Sequence, residues 1–278
     1  MSPSGDVDLL VEARRALLDA LQALRELRDA VIVIGAQAVY LHTGTAAVAL
    51  AEATKDSDLA LDPRRLAPSP LIEDAMTRAG FILNPTSDQP GAWLSPRGVP
   101  VDLMVPEALA GSRSRRGARI PPHSPRAARR AVGLEAVVVD HAPMTIHALA
   151  GDDTRTFTAD VAGPGALLIA KVHKIAERRT APDRLLDKDA HDIYRLLVAV
   201  PTPELAAAIT RLMNDPLSSP VTTQAMTDLH DMFAAGPHAL GSTMAGRAEH
   251  GIGEPATVSA STAILAADLL AHLPDASG

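Results

Sequence analysis

The chain contains no cysteine. That excludes disulfides, zinc ribbons, iron–sulfur clusters and thiol nucleophiles together, and it is compatible with a reducing compartment. Aromatic residues are nearly as scarce: Tyr40, Phe81, Trp93, Phe157, Tyr194 and Phe233 make up 2% of the sequence. A core must then be built from Ala, Val and Leu, and nucleic acid cannot be held on a platform of several stacked aromatics. No stretch approaches the roughly eighteen uninterrupted apolar residues of a membrane-spanning helix. The polar, acidic start, Met1 to Asp8, lacks the basic-then-apolar pattern of a signal peptide, so the expected location is the cytoplasm. A net charge of −7 argues against the whole protein being a nonspecific nucleic-acid binder. What is present is ordinary for a globular protein: 47% apolar and 21% charged residues over 278 positions, enough for one large domain or two modest ones.

Residues 7–29 have the helical period, with Leu9, Leu10, Ala13, Leu17, Leu21, Leu24 and Leu27 at three- and four-residue steps. Val31-Ile32-Val33-Ile34 is a β-branched run stopped by Gly35, which predicts a buried strand and a sharp turn into a helix over 36–42. Thr43-Gly44-Thr45 reads as a loop, and a second strand is expected at about Ser57–Leu61. Pro63 and Pro68 bracket a loop, and a helix over 70–79 ends at Gly80. Further strands are expected at 80–84, 92–95, 99–105, 134–139 and about 154–161. Helices are expected at 165–180, 186–199, 203–213, 222–235 and 257–272. Residues 108–130 hold Arg113, Arg115, Arg116, Arg119, Arg126, Arg129 and Arg130 with three prolines, and read as an exposed basic loop or arm. The fold class is therefore α+β. A sheet with flanking helices fills 1–160, a helical half fills 161–278, and no internal repeat is evident.

The most informative stretch is Asp56-Ser57-Asp58-Leu59-Ala60-Leu61-Asp62. In a strand, Leu59 and Leu61 face one side while Asp56, Asp58 and Asp62 face the other, with carboxylates two residues apart at about 6–7 Å between Cα atoms. Such a pair suits a hard divalent cation shared with substrate phosphates; a solvated strand edge or a turn would look the same. Asp102, alone among Val99, Val101, Leu103 and Val105, is placed to stand beside them or on an exposed sheet face. Gly35-Ala36 opens a helix whose first N–H groups suit phosphate, although a plain strand-to-helix turn needs the same glycine. On the later helices, Lys171, Lys174 and Arg178 form one cationic stripe. Asp189 and Asp192 lie one turn apart at the edge of an apolar face. These groups read either as a phosphate site with an acid–base carboxylate or as structural ion pairs. His173 and His191 read as surface residues. No zincin or serine-hydrolase motif is present.

In order and spacing, the Gly35 turn, Asp56-Ser57-Asp58, Asp102, the Lys171 helix and Lys188-Asp189-x-x-Asp192 together resemble nucleotidyltransferases of the polymerase-β-like superfamily, in particular the AbiEii and MenT group of bacterial toxins. The resemblance spans about 30–200 and implies a nucleotidyltransferase-like mixed sheet. It implies Mg²⁺ held by Asp56, Asp58 and Asp102, with Asp56, Asp58, Lys171 and Asp192 in catalysis and Asp189 competing for the role of Asp192. Gly35, Ala36, Lys171, Lys174 and Arg178 would bind an NTP substrate. It further implies transfer of NMP to the 3′ end of tRNA, with Arg113, Arg115, Arg116 and Arg119 on the RNA, and a cognate antitoxin as partner; the alternatives are a small-molecule, aminoglycoside-type acceptor and a catalytically silent binding protein of the same fold. The first motif departs from the group, reading Gly35-Ala36 where Gly-Gly or Gly-Ser is usual.

Overall fold

The computed structural model describes residues 3–44, 56–111 and 116–274. These fall into two compact units. The first comprises the described parts of Met1–Ala38, Ala53–Leu134 and His141–Ala162; the second comprises those of Val39–Glu52, Glu135–Asp140 and Gly163–Gly278. The class is mixed α+β, with the strands in the N-terminal half and a helical C-terminal half.

The first unit is built on a mixed sheet. Its strands are β1 (Val31–Ile34), β2 (Ser57–Leu61), β3 (Ile82–Leu83), β4 (Ala92–Leu94), β5 (Pro100–Pro106), β6 (Arg129–Ala131), β7 (His141–His147) and β8 (Thr156–Ala162). Their order across the sheet is β3-β4-β5-β2-β1-β8-β7. One edge of β5 is shared, since β4 pairs antiparallel with Pro100–Asp102 and β6 pairs parallel with Met104–Pro106. Strand β1 lies between antiparallel β2 and parallel β8, and all four of its residues are buried. That central place explains the uninterrupted β-branched run.

Helix α1 (Pro3–Ala23) packs on β2 and β5, and its Ala13, Leu17 and Leu21 are buried. Burying each such leucine contributes about 1.5–3 kcal/mol. Ser57 Oγ donates to the Ala13 carbonyl at 2.8 Å, so Ser57, Leu59 and Leu61 face α1 and the even-numbered residues of β2 face away. A short 3₁₀ segment (Arg25–Ala30) links α1 to β1, and α2 (Gly35–Thr43) follows β1 directly. Helix α3 (Ile72–Arg78) ends at Gly80, whose φ is +82°. Trp93 is fully buried, and its indole N–H donates to the Ala127 carbonyl at 3.0 Å.

The second unit contains α4 (Pro164–Arg178), α5 (Asp187–Ala199), α6 (Thr202–Asn214), α7 (Ser219–Leu229), α8 (Leu240–Ala248) and α9 (Pro255–Ala271). Asp140 accepts from the Ala166 N–H at 3.4 Å in the first turn of α4. Its carboxylate fills the space a Cβ on Gly163 would need. Among the described residues no single helix is long and apolar enough to cross a membrane.

Three expectations are corrected. Residues 134–139 form turns rather than a strand; the Ala136-Val137-Val138 run is apolar because it is buried, and periodicity cannot separate a short buried turn from a short buried strand. The paired strand begins just after it, at His141. Helix α8 has no counterpart among the expectations because Leu240-Gly241-Ser242-Thr243 carries a weak helical signal, yet Gly241 is needed against the Phe233 ring. The expected helix over 222–235 starts earlier, at Ser219, and closes in a single π turn over His230–Ala234.

Candidate functional site

In the first unit the strand-to-helix turn and the carboxylates meet. Gly35 has φ +67°, a conformation that favours glycine, and a Cβ there would run into the Asp58 carboxylate, with the Asp58 Cβ and Cγ only 2.9 Å away. The pairing register sets this contact, because Asp58 is opposite Ile34 on β1. On its other side Asp58 is level with Asp102 on parallel β5. Adjacent strands are about 4.8 Å apart, so two half-buried carboxylates stand side by side on the sheet face turned away from α1. Asp56 immediately precedes β2. Asp62, read from alternation as a member of this row, is instead buried just beyond the strand, where Arg64 pairs with it at 2.8 Å.

No group of three or more His, Asp or Glu side chains able to hold a metal ion is found among the described residues. The pair Asp58 and Asp102 still fits Mg²⁺ by donor chemistry. That ion takes one or two carboxylates and completes its shell with substrate phosphate and water. Asp102 also meets Arg129, whose Nη2 lies 3.3 Å from its Oδ2.

Arg14 sits on the apolar stripe of α1 and is buried. Its Nε donates to Gln37 Oε1 at 2.8 Å and its Nη1 to the His147 carbonyl at 2.9 Å, which braces the first turn of α2 from behind. Burial lowers its pKa from the ordinary arginine value. Its place at a leucine-lined position, four residues after Leu10 and three before Leu17, is a signal that sequence analysis passed over.

In the second unit α4 and α5 bring their charges together. Lys171 Nζ is 2.8 Å from Asp189 Oδ1 and 2.6 Å from Asp192 Oδ2. Lys174 Nζ reaches the same Asp189 oxygen at 2.9 Å, and Arg178 lies 3.7 Å from the other. Lys171, Asp189 and Asp192 are 6%, 1% and 3% exposed, so this is a buried ion cluster. Burial disfavours the Lys171 ammonium, but Asp189 and Asp192 outweigh it and raise its pKa well above the usual lysine range. Burial likewise opposes ionisation of Asp189, and Lys171 and Lys174 overcome it, holding this carboxyl below the usual carboxylate range. The ion-pair alternative is thus realised in the described structure. Lys174 and Arg178 keep the more exposed ends of the stripe.

Arg195, one turn further along α5, is buried, donates to the Thr43 carbonyl and hydroxyl at 3.1 Å, and lies 5.5 Å from the Tyr40 ring centre. That clamp satisfies the last turn of α2 and explains why residues 39–44 belong to the helical unit.

The histidine expectation is overturned. His173 is buried with Nε2 2.7 Å from the Val221 carbonyl, and His191 is buried with Nε2 2.6 Å from Glu249 Oε1. Both rings are taken inside by polar partners distant in sequence, Val221 on α7 and Glu249 just after α8, which the local pattern does not encode.

The basic segment is also different from an exposed arm. Ala118, Ile120, His123, Ala127 and Ala128 are buried. His123 accepts from the Ile72 N–H at 3.2 Å, and its other ring nitrogen lies 3.0 Å from the Ala67 carbonyl. Arg129 and Arg130 enter β6, where Arg130 meets Glu107 at 3.4 Å. Arg116, Arg119 and Arg126 are exposed. Arg113 and Arg115 lie outside the described residues. The small apolar residues between the arginines anchor the segment to the sheet.

No family model matches the chain, no curated protein matches its sequence, and no solved structure matches its fold.

Proposed function

We propose that the protein is a Mg²⁺-dependent nucleotidyltransferase that moves NMP from an NTP to an acceptor hydroxyl, with the 3′ end of tRNA as acceptor and a cognate antitoxin as its neutralising partner. The observation that carries the reading is the level placement of Asp58 and Asp102 on neighbouring parallel strands, with the Gly35 turn packed on Asp58. Two carboxylates on one face beside the N-terminus of a nine-residue helix combine a cation site with phosphate-directed N–H groups.

In this reading Asp58 and Asp102 would hold Mg²⁺, with Asp56 two residues before Asp58. When bound, the ion neutralises charge on the triphosphate and on the leaving pyrophosphate. The first-turn N–H groups of α2, at Gly35, Ala36 and Gln37, lack intrahelical acceptors and would receive phosphate oxygens. The acceptor hydroxyl gives up its proton to solvent, its oxygen bonds to the α-phosphorus, and the bond to pyrophosphate breaks, the pyrophosphate leaving with the electron pair. The protein supplies position and electrostatics rather than covalent chemistry. Lys171, Lys174 and Arg178 are assigned to the nucleotide, and Asp192 to catalysis, by the family resemblance. Within the helical unit, Lys171, Lys174 and Arg178 all lie against Asp189. The tRNA and the antitoxin rest on the resemblance as well.

A second reading, an acceptor that is a small hydroxyl compound such as an aminoglycoside, is favoured by the folding of the basic segment into the sheet. The deciding experiment supplies pure protein with Mg²⁺, each labelled NTP in turn, and either bulk tRNA or aminoglycosides. Label on tRNA supports the first reading, and label on the drug supports the second. Asp58→Ala should abolish transfer while the thermal melt stays within a few degrees of wild type. A fully active Asp58→Ala protein would refute the site.

A further inference from the structure

We propose that Arg129 is the resident counter-ion of Asp102 and, when a divalent cation takes that carboxylate, a ligand for the nucleotide phosphates; the inference rests on the nucleotidyltransferase reading above. Its place in the sheet comes first. Arg129 is paired with Met104, two residues beyond Asp102 on β5, so register puts it on the face that carries Asp58 and Asp102. In sequence it belongs to the basic segment at 108–130; in the structure that segment ends by delivering this guanidinium to Asp102.

The contact it makes is loose. Nη2 to Asp102 Oδ2 is 3.3 Å, longer than the roughly 2.7–2.9 Å of a strong charge-assisted hydrogen bond. Its Nε is buried and has no hydrogen-bond partner. A buried donor left unmet is costly, and guanidinium presents a planar fork that matches two oxygens of one phosphate. The present partner uses only one arm of that fork. Both side chains retain about a fifth of their exposure (20% and 24%), so solvent and small solutes reach the pair. A cation arriving at Asp102 competes with Arg129 for the same oxygen, and a phosphate brought with that cation gives the displaced guanidinium the bidentate partner it lacks.

The two halves of the exchange predict changes of opposite sign. Full-length wild type, Arg129→Met and Arg129→Lys are titrated with Mn²⁺ alone, read by the electron-paramagnetic resonance of free Mn²⁺. Mn²⁺-loaded protein is then titrated calorimetrically with inorganic tripolyphosphate. Arg129→Met should bind Mn²⁺ about 3- to 10-fold more tightly, since a competing charge is gone, and tripolyphosphate about 10-fold more weakly. Arg129→Lys, which keeps the charge without the fork, should match wild type for Mn²⁺ and fall between the two for tripolyphosphate. It carries the test if the methionine variant does not fold. A purely structural role for Arg129 would weaken both ligands together and would overturn the proposal, as would an unchanged Mn²⁺ affinity. Wild type that takes up both ligands, with variants identical to it, removes this inference alone. Wild type that takes up no Mn²⁺ removes the nucleotidyltransferase reading as well.

Discussion

Replacing Lys171 by Met tests whether the α4–α5 charges hold the helical unit together. The substitution keeps the length and apolar stem of the side chain and deletes its ammonium. Asp189 would retain Lys174 at 2.9 Å and Arg178 at 3.7 Å, but Asp192, 3% exposed, would lose the cation 2.6 Å away. Removing one partner of a buried pair costs about 3–5 kcal/mol, because the remaining charge stays desolvated. For a unit of this size that corresponds to a fall in Tm of about 10 °C or more. The assay is urea unfolding followed by far-UV circular dichroism, with linear extrapolation. The double variant Lys171→Met, Asp192→Leu should recover most of the loss, since a buried pair replaced by apolar side chains of similar volume is often neutral. The sign with pH is fixed. Asp189 is depressed in the folded protein, so its contribution is present above the unfolded value of about 3.9 and is lost as pH falls through the lower folded value. Lys171 is raised, so its contribution is complete below about 10.4 and is lost only as pH rises through its higher folded value. A loss under about 1 kcal/mol at pH 7, or a double variant no better than the single, would refute the argument.

Gly35→Ala should cost about 2–4 kcal/mol, part from the left-handed φ and part from displacing Asp58. In an Asp58→Ala background the steric part disappears and the same change should cost only about 1–2 kcal/mol, as a double-mutant cycle of melting curves would show. Arg116→Ala with Arg119→Ala should weaken tRNA more than NTP and lower the slope of log affinity against log salt by about 1–2, measured by filter binding across a salt series. Equal losses for both ligands would remove the segment from RNA recognition.

Most of the fold was legible where one physical signal dominated. The β-branched run at 31–34 is the central strand, and the leucine period of 7–29 is the α1 helix with its 3₁₀ extension. Glycine marked the end of α3. The candidate site was legible as residue types in order. Its geometry was not, because register decides which carboxylates become neighbours: Asp58 with Asp102 side by side, but Asp62 turned to Arg64. Helical spacing brought Lys171, Lys174 and Arg178 into one stripe and Asp189 with Asp192 into another. That the two stripes neutralise each other depends on how α4 meets α5, which no local pattern encodes. Polar residues buried by distant partners, such as Arg14, Arg195 and His191, were the least visible, since composition presents every arginine and histidine as a surface group.

The lone indole gives this protein a built-in optical reporter. Trp93 is held in the sheet-bearing unit, shielded from water and tethered to the carbonyl of Ala127, so its emission colour follows the melting of that unit. The helical unit contributes only tyrosine and phenylalanine and stays dark when the indole is excited selectively. Fluorescence and circular dichroism recorded on one sample would then tell whether the two halves come apart together or in turn.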